Sequence, residues 1–231
     1  MTLRIALIHA VMVAVAPVEA AFRELWPQAE CGNILDDSLS LDRERDGELT
    51  AAMRRRIMAL ADYAAATGAA GILFTCSAFG EAIEAAASRA SIPVLKPNEA
   101  MFEAALVQGG RIGMLATFAP SVQSMAEEFR AMAAQQGSPA TLETYCVPGA
   151  MAALKAGDPA THDRLIAAAA PRFADCEAVL LAHFSTARAA PAVSAALDRP
   201  VLTSPGSAVG KLKEIIAGAD PRSVAAQPLP P

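Results

Sequence analysis

The chain has 231 residues, of which 54% are hydrophobic and 5% aromatic, and its formal net charge is −5. That length holds one large core or two smaller ones, and an acidic chain with no basic patch interleaved with aromatics is a poor nucleic-acid binder. The four cysteines, Cys31, Cys76, Cys146 and Cys176, have no short ligand spacing, which argues against a zinc site and for free thiols in a reducing cytoplasm.

In chain order, short apolar runs alternate with longer alanine-rich amphipathic stretches. The first run, 3–9, begins like a secretory signal with Arg4 and the apolar stretch from Ile5 to Val15. His9 and Pro17 interrupt it too early for a membrane span. Its core also recurs in mid-chain, so it reads as a buried strand. Further strands are predicted at 31–35, 71–75, 93–95, 111–116, 142–147, 178–182 and 200–202. Helices are predicted at 15–26, 47–66, 78–89, 98–108, 119–136, 159–173, 186–197 and 205–217. Gly68, Gly109 and Gly137 fall where helix C-caps belong. Asp158-Pro159 and Ser138-Pro139 mark helix-start or loop positions. Arg54-Arg55-Arg56 reads as a solvated helix face. Pro228, Pro230 and Pro231 close an aperiodic tail that is expected to fray.

The chain is written twice. Arg4-Ile5-Ala6-Leu7 returns as Arg111-Ile112-Gly113-Met114. Ile72-Leu73-Phe74-Thr75-Cys76 returns as Val179-Leu180-Leu181-Ala182-His183, and Pro93-Val94-Leu95 as Pro200-Val201-Leu202. All three lie 107 residues apart (4 to 111, 72 to 179, 93 to 200). One constant offset predicts two halves on one plan. Strand–helix alternation with all-apolar strands predicts mainly parallel sheets flanked by helices. The expected fold class is therefore α/β, with two pseudo-symmetric Rossmann-like halves and a site in the cleft between them. The halves are expected at 1–109 and 110–222, with a tail at 223–231 and the last helix, 205–217, free to pack back on the first half.

Ligands of such sheets bind beyond the carboxyl ends of the strands. Those ends carry His9, Thr75-Cys76-Ser77-Ala78, Thr117, and His183-Phe184-Ser185-Thr186. The offset pairs Cys76 with His183, a thiol with an imidazole, and both groups move protons near neutral pH. A strand end before a helix predicts a lowered thiol pKa at Cys76. The hydroxyls of Thr75, Ser77, Thr117, Ser185 and Thr186, with nearby helix amides, suit a carboxylate. His9 faces the same rim. Asn98 and Glu99, after Lys96-Pro97, start a helix within reach of it. Cys31, Cys146 and Cys176 read as structural. A metal held by His9, Cys76 and His183 lacks a supporting carboxylate, and none is expected.

The turn Phe74-Thr75-Cys76-Ser77-Ala78, its counterpart Leu181-Ala182-His183-Phe184-Ser185-Thr186, and Ala116-Thr117-Phe118 resemble the aspartate/glutamate/hydantoin racemase superfamily. That group includes arylmalonate decarboxylase and maleate isomerase, and the resemblance covers nearly the whole chain. It implies a cofactor-independent isomerase, or a lyase, acting next to a carboxylate of a small amino-acid-like or hydantoin-like substrate. Family racemases use two cysteines, one per half, as acid and base on opposite faces of the α-carbon. Cys76 takes the first position, and His183 stands at the second. Catalysis is then expected from Cys76 and His183, with His9, Thr75, Ser77, Ala78, Thr117, Phe184, Ser185 and Thr186 around the substrate. The alternatives are a decarboxylase or cis–trans isomerase of the same superfamily, or a non-catalytic binder of small carboxylates. Neither nucleic acid nor membrane is an expected partner, and a cytoplasmic homo-oligomer, dimer or higher, is expected.

Overall fold

Among the described residues eight short strands pair in parallel, and the central ones, β1, β3, β5 and β7, are the apolar runs expected of strands buried on both faces. The computed structural model describes residues 3–218, so the expected tail 223–231 and residues 219–222 lie outside the described residues. The first half runs β1 (Arg4–His9), α1 (Val15–Leu25), β2 (Glu30–Leu35), α2 (Ser38–Asp46), α3 (Ala51–Ala66), β3 (Gly71–Phe74), α4 (Gly80–Ala87), β4 (Val94–Leu95) and α5 (Glu99–Gln108). The second runs β5 (Arg111–Ala116), α6 (Ala119–Gln135), β6 (Thr141–Cys146), α7 (Ala150–Lys155), α8 (Pro159–Ala169), β7 (Ala178–Leu181), α9 (Ala190–Ala196), β8 (Val201–Thr203) and α10 (Ser204–Gly218).

The sheets have the orders β2-β1-β3-β4 and β6-β5-β7-β8. Their registers repeat as the sequence does: Leu7 pairs with Leu73 in one sheet, and Met114 with Leu180 in the other. The fold is thus α/β with two similar halves. No helix among the described residues is long and apolar enough to cross a membrane.

Two helices escaped sequence reasoning. In α2, Ser38–Asp46, only Leu39 is buried, so there is no apolar period to read. Ion pairs hold it instead: Arg56, inside the supposed solvated run, reaches Asp36 at 2.5 Å and Asp42 at 2.6 Å. Helix α7 has six residues, between Gly149 and Gly157, both at positive φ. The predicted helix 47–66 starts later, because Thr50 Oγ1 accepts from the Met53 amide and makes Thr50 the N-cap.

Each sheet has two apolar faces. In the first, Ile8, Ile72 and Phe74 meet Met53, Ile57 and Ile83 of α3 and α4. Its other face, Ile5, Leu7 and Leu73, meets Val18 and Phe22 of α1, together with Val209 and Leu212 of α10. In the second sheet, Ile112, Met114 and Leu180 meet Met101, Phe102 and Leu106 of α5 and Met125 and Phe129 of α6. The last helix of each half therefore covers the sheet of the other. The remaining face of the second sheet packs on α8 and α9.

Gly113 sits where the first half has Ala6, and the two halves differ there in space. A Cβ on Gly113 would overlap Phe173 Cγ and lie 2.8 Å from its Cβ, atoms close to the backbone that cannot swing aside. Gly113→Ala should destabilise the fold by about 1–3 kcal/mol, read as a lower denaturant midpoint at unchanged slope.

Candidate active site

The carboxyl ends of the two sheets face each other. The turn Met12–Ala14 after β1 touches the turn Phe184–Ala189 after β7, and the turn Ser77–Phe79 after β3 touches α6, which follows β5. These contacts are equivalents of one another under the two-fold repeat. Cys76 and His183 precede the two turns after β3 and β7.

Cys76 is extended, with φ −119° and ψ 122°, and half-buried. Burial pushes its thiol up, against the smaller opposing effects of the Ala78 amide and the positive charge of Arg43. This corrects the expected lowered thiol. The Ser77–Phe79 turn has only three residues, too few to build a helix dipole that outweighs desolvation. Burial also raises the other three thiols, Cys31 to about 11.

His183 is the single non-glycine among the described residues with positive φ, at φ 72° and ψ 146°. That region costs a side-chain-bearing residue about 1–3 kcal/mol and recurs at functional positions. Its Nε2 lies 2.6 Å from Ser121 Oγ, and Ser121 Oγ is 3.0 Å from the Phe118 carbonyl. The Ser121 hydroxyl has one proton to share between that carbonyl and Nε2. Nδ1 is buried and has no hydrogen-bond partner. Burial lowers the His183 pKa to about 4, so the ring is neutral at pH 7. Nearby, Thr117 Oγ1 is also buried without a partner. Such orphans cost about 1–3 kcal/mol each unless something binds them.

His9 is 1% exposed and both its nitrogens are engaged, Nδ1 with Thr75 Oγ1 and Nε2 with Asn33 Oδ1, each at 2.9 Å. It therefore does not present itself to a ligand; it supports Thr75. Asn33 Nδ2 donates to Glu19 Oε1 at 2.8 Å. A carboxylate only accepts, so Asn33 must turn its oxygen to His9, and His9 must donate from Nε2. Nδ1 then accepts the Thr75 hydroxyl proton; the alternative acceptor, the Ile8 carbonyl, is at 3.4 Å and already takes the Thr75 amide at 3.0 Å. Thr75 thus has no proton left for a carboxylate, which corrects its expected donor role.

Two further assignments change. Phe184 is buried among Val18, Phe22 and Leu73 of the first half, so it plugs the two halves together rather than meeting substrate. Thr186 is fully buried and donates to the backbone carbonyls of Ala182 and His183, so it holds the turn. Ser185 is buried, Ser77 half-buried and Ala78 exposed. Asn98 is buried, accepts from Ser204 Oγ at 3.0 Å and leaves Nδ2 without a partner.

Sequence reasoning missed Ser121, Asn33, Glu19 and the link from Arg188 through Asp163 to His162, at 2.9 and 2.7 Å. None belongs to a motif; each is paired only by the fold. Among the described residues no group of three or more His, Cys, Asp or Glu side chains is arranged to hold a metal ion. A cavity of about 290 Å³ between α1 and β2, lined by Glu19, Phe22, Trp26 and Cys31, contains neither Cys76 nor His183.

Two outcomes follow. A histidine held below its unfolded pKa stabilises the fold fully above pH 6.5, and that contribution is lost as pH falls from 6.5 toward 4. His183→Asn should flatten this part of the stability profile, by up to about 3 kcal/mol between its ends. Iodoacetamide should label Cys76 slowly at pH 7, with a rate still climbing through pH 9.0, its ordinary value.

A family model described as Asp/Glu/hydantoin racemase matches residues 15–212. No curated protein matches the chain in sequence. Among solved structures, the allantoin racemase of Klebsiella pneumoniae is similar at a TM-score of 0.68 and 18% identity, over 93% of this chain and 88% of that one. The aspartate racemase of Picrophilus torridus is similar at 0.69 and 14%, over 93% and 94%. A liganded arylmalonate decarboxylase variant, with one glycine changed to cysteine and one cysteine to serine, is similar at 0.64 and 17%, over 94% of each chain. At these identities the likeness shows the fold alone.

Proposed function

This chain belongs to the Asp/Glu/hydantoin racemase family, and from that membership we propose that it is an isomerase moving a proton on the carbon beside a carboxylate of a small amino-acid-like or hydantoin-like substrate, through Cys76 and His183. One observation carries the reading. At the two equivalent strand ends stand a thiol and an imidazole, and the imidazole is held in a strained backbone with its Nδ1 buried and unpartnered.

Before substrate binds, burial favours the neutral pair, thiol with imidazole. In that state His183 Nδ1 is the base and the Cys76 S–H the acid. The imidazole takes the α-proton from one face, and the thiol delivers its own to the other. The pair ends as imidazolium and thiolate, and that form runs the reverse direction. From the neutral resting pair the imidazole is thus the base, and a thiolate base opposed by a protonated histidine arises only in the return step. The intermediate is an enediolate, which needs donors at the carboxylate. The unpartnered Thr117 hydroxyl, Ser77, Ser185 and the Ala78 amide are the candidates.

A second reading has its own support. Only one of the two equivalent positions is a thiol, and one thiol suffices to protonate, from a single face, the carbanion left by loss of CO2. A binder without turnover would keep the cleft and bind acids without exchange.

The test is deuterium uptake from D2O at the α-carbon of aspartate, glutamate and allantoin, with chiral analysis and CO2 detection on a parallel malonate series. Cys76→Ser and His183→Asn should each lower inversion about 10²–10⁴-fold, with Cys76→Ser still washing out the proton facing His183. Inversion that survives Cys76→Ser would place the chemistry elsewhere; CO2 release without inversion would favour the second reading.

A further inference from the structure

The two halves share a plan, but one layer of it is filled in opposite ways. In the first half, the carboxyl end of the face under α1 holds the chain Glu19–Asn33–His9–Thr75, with contacts of 2.8, 2.9 and 2.9 Å. At the same offset of 107 the second half has Ala126, Ala116 and Ala182 for Glu19, His9 and Thr75, all buried. Asn33 pairs with Leu7 across its sheet, as Thr144 pairs with Met114 in the other. The second half therefore closes the same layer with three alanine methyl groups and the half-buried Thr144. The fold does not need the polar chain, and burying a histidine and a threonine there is a disadvantage unless every donor and acceptor is matched.

They are matched in only one way. Asn33 gives its protons toward Glu19 and its oxygen toward His9, which leaves Nε2–H as the donor and Nδ1 as the acceptor. Asn33 cannot pass a proton along without becoming an imidic acid, so the chain orients groups rather than conducting protons. Its outer end, Glu19, lies near Arg23 and keeps contact with solvent at 37% side-chain exposure. Its inner end is Thr75, the residue before Cys76, whose amide also ties β3 to β1 through the Ile8 carbonyl at 3.0 Å.

We propose that Glu19 and Asn33 are positioning residues that hold His9 in the Nε2–H form, commit the Thr75 hydroxyl proton to His9 Nδ1, and thereby pin the end of β3 that presents Cys76. The proposal rests on the reading of Cys76 as the working thiol. It makes the first half the rigid, polar side of the cleft and the second half the apolar side that carries a strained His183.

The test reads His9 directly in the full chain, with ¹⁵N-labelled histidine and long-range proton–nitrogen spectra at neutral pH. The three histidines are assigned by single His→Gln variants. The expected wild-type pattern for His9 is a protonated Nε2 and a bare Nδ1. Asn33→Ala and Glu19→Ala should each give a mixture of tautomers, and Glu19→Gln should not restore the single form, because a carboxamide donates as well as accepts and no longer fixes which end of Asn33 faces His9. In Asn33→Ala the iodoacetamide labelling rate of Cys76 should rise about tenfold, with Cys146 unchanged as the internal control. A wild-type His9 protonated at Nδ1 or at both nitrogens, or a pattern untouched by Asn33→Ala, overturns the proposal, and so does unchanged Cys76 labelling. None of these readouts needs turnover, so they stand apart from the Cys76→Ser exchange experiment.

Discussion

The structure depends on an exchange of helices. Each sheet has an inner face that its own half cannot close, and the last helix of the opposite half closes it. Val209 and Leu212 of α10 lie on Leu7 and Leu73, and Met101 and Phe102 of α5 lie on Ile112 and Met114. Phe102 meets Phe129 edge to face, with ring centroids 5.6 Å apart. Pulling the halves apart would expose both apolar faces at once, and burial of such area is the main favourable term in folding. Lys96 adds a polar tie: it is 15% exposed and reaches Glu84 of the first half at 2.7 Å and Glu128 of the second at 3.2 Å. This locking sets the strand ends of one half against those of the other.

Facing strand ends would be chemically equivalent if the repeat were perfect, and here they are not. The first half spends its strand ends on a matched polar chain beneath a thiol. The second half has buried Ala116, Ala182 and Phe184 around the strand ends that lead to its imidazole. An imidazole in such company is desolvated and stays neutral well below pH 7. The thiol opposite is also desolvated and stays protonated. Two neutral groups are the cheaper resting state of a closed cleft, because an unpaired buried charge is costly. Under the proposed reading, the same burial that gives the pair its neutral form also makes the thiol the acid and the imidazole the base.

The strained residue lies beside two of the unpartnered buried polar atoms, its own Nδ1 and Thr117 Oγ1. His183 has the lone positive φ of a described non-glycine residue, and its turn is held by Thr186 and by Arg188, whose partner Asp163 meets the buried His162. A backbone region that nearly always belongs to glycine persists only when its surroundings over-determine it. Phe184, packed into the first half, is the largest of those surroundings.

Much of the fold was legible because its physics is local and repeated. Apolar runs of four to six residues mark the central strands β1, β3, β5 and β7, and a constant offset marks two halves without any knowledge of contacts. The same offset singled out Cys76 and His183. What was not legible depends on partners distant in sequence. Helix α2 has no apolar period and stands on ion pairs to Arg56. Phe184 and Thr186 look like rim residues in the sequence, yet one is core and the other closes a turn. The direction of the Cys76 shift could not be read from its place before a turn, since desolvation is a property of everything packed around the sulfur. The sequence by itself determined the strands, the repeat and the residue types at the strand ends, because hydrophobic periodicity and spacing act along the chain. Only the tertiary structure decided the helix exchange, the protonation of the pair and the orientation of His9, because each depends on which distant groups are brought within hydrogen-bond reach and how much water they exclude.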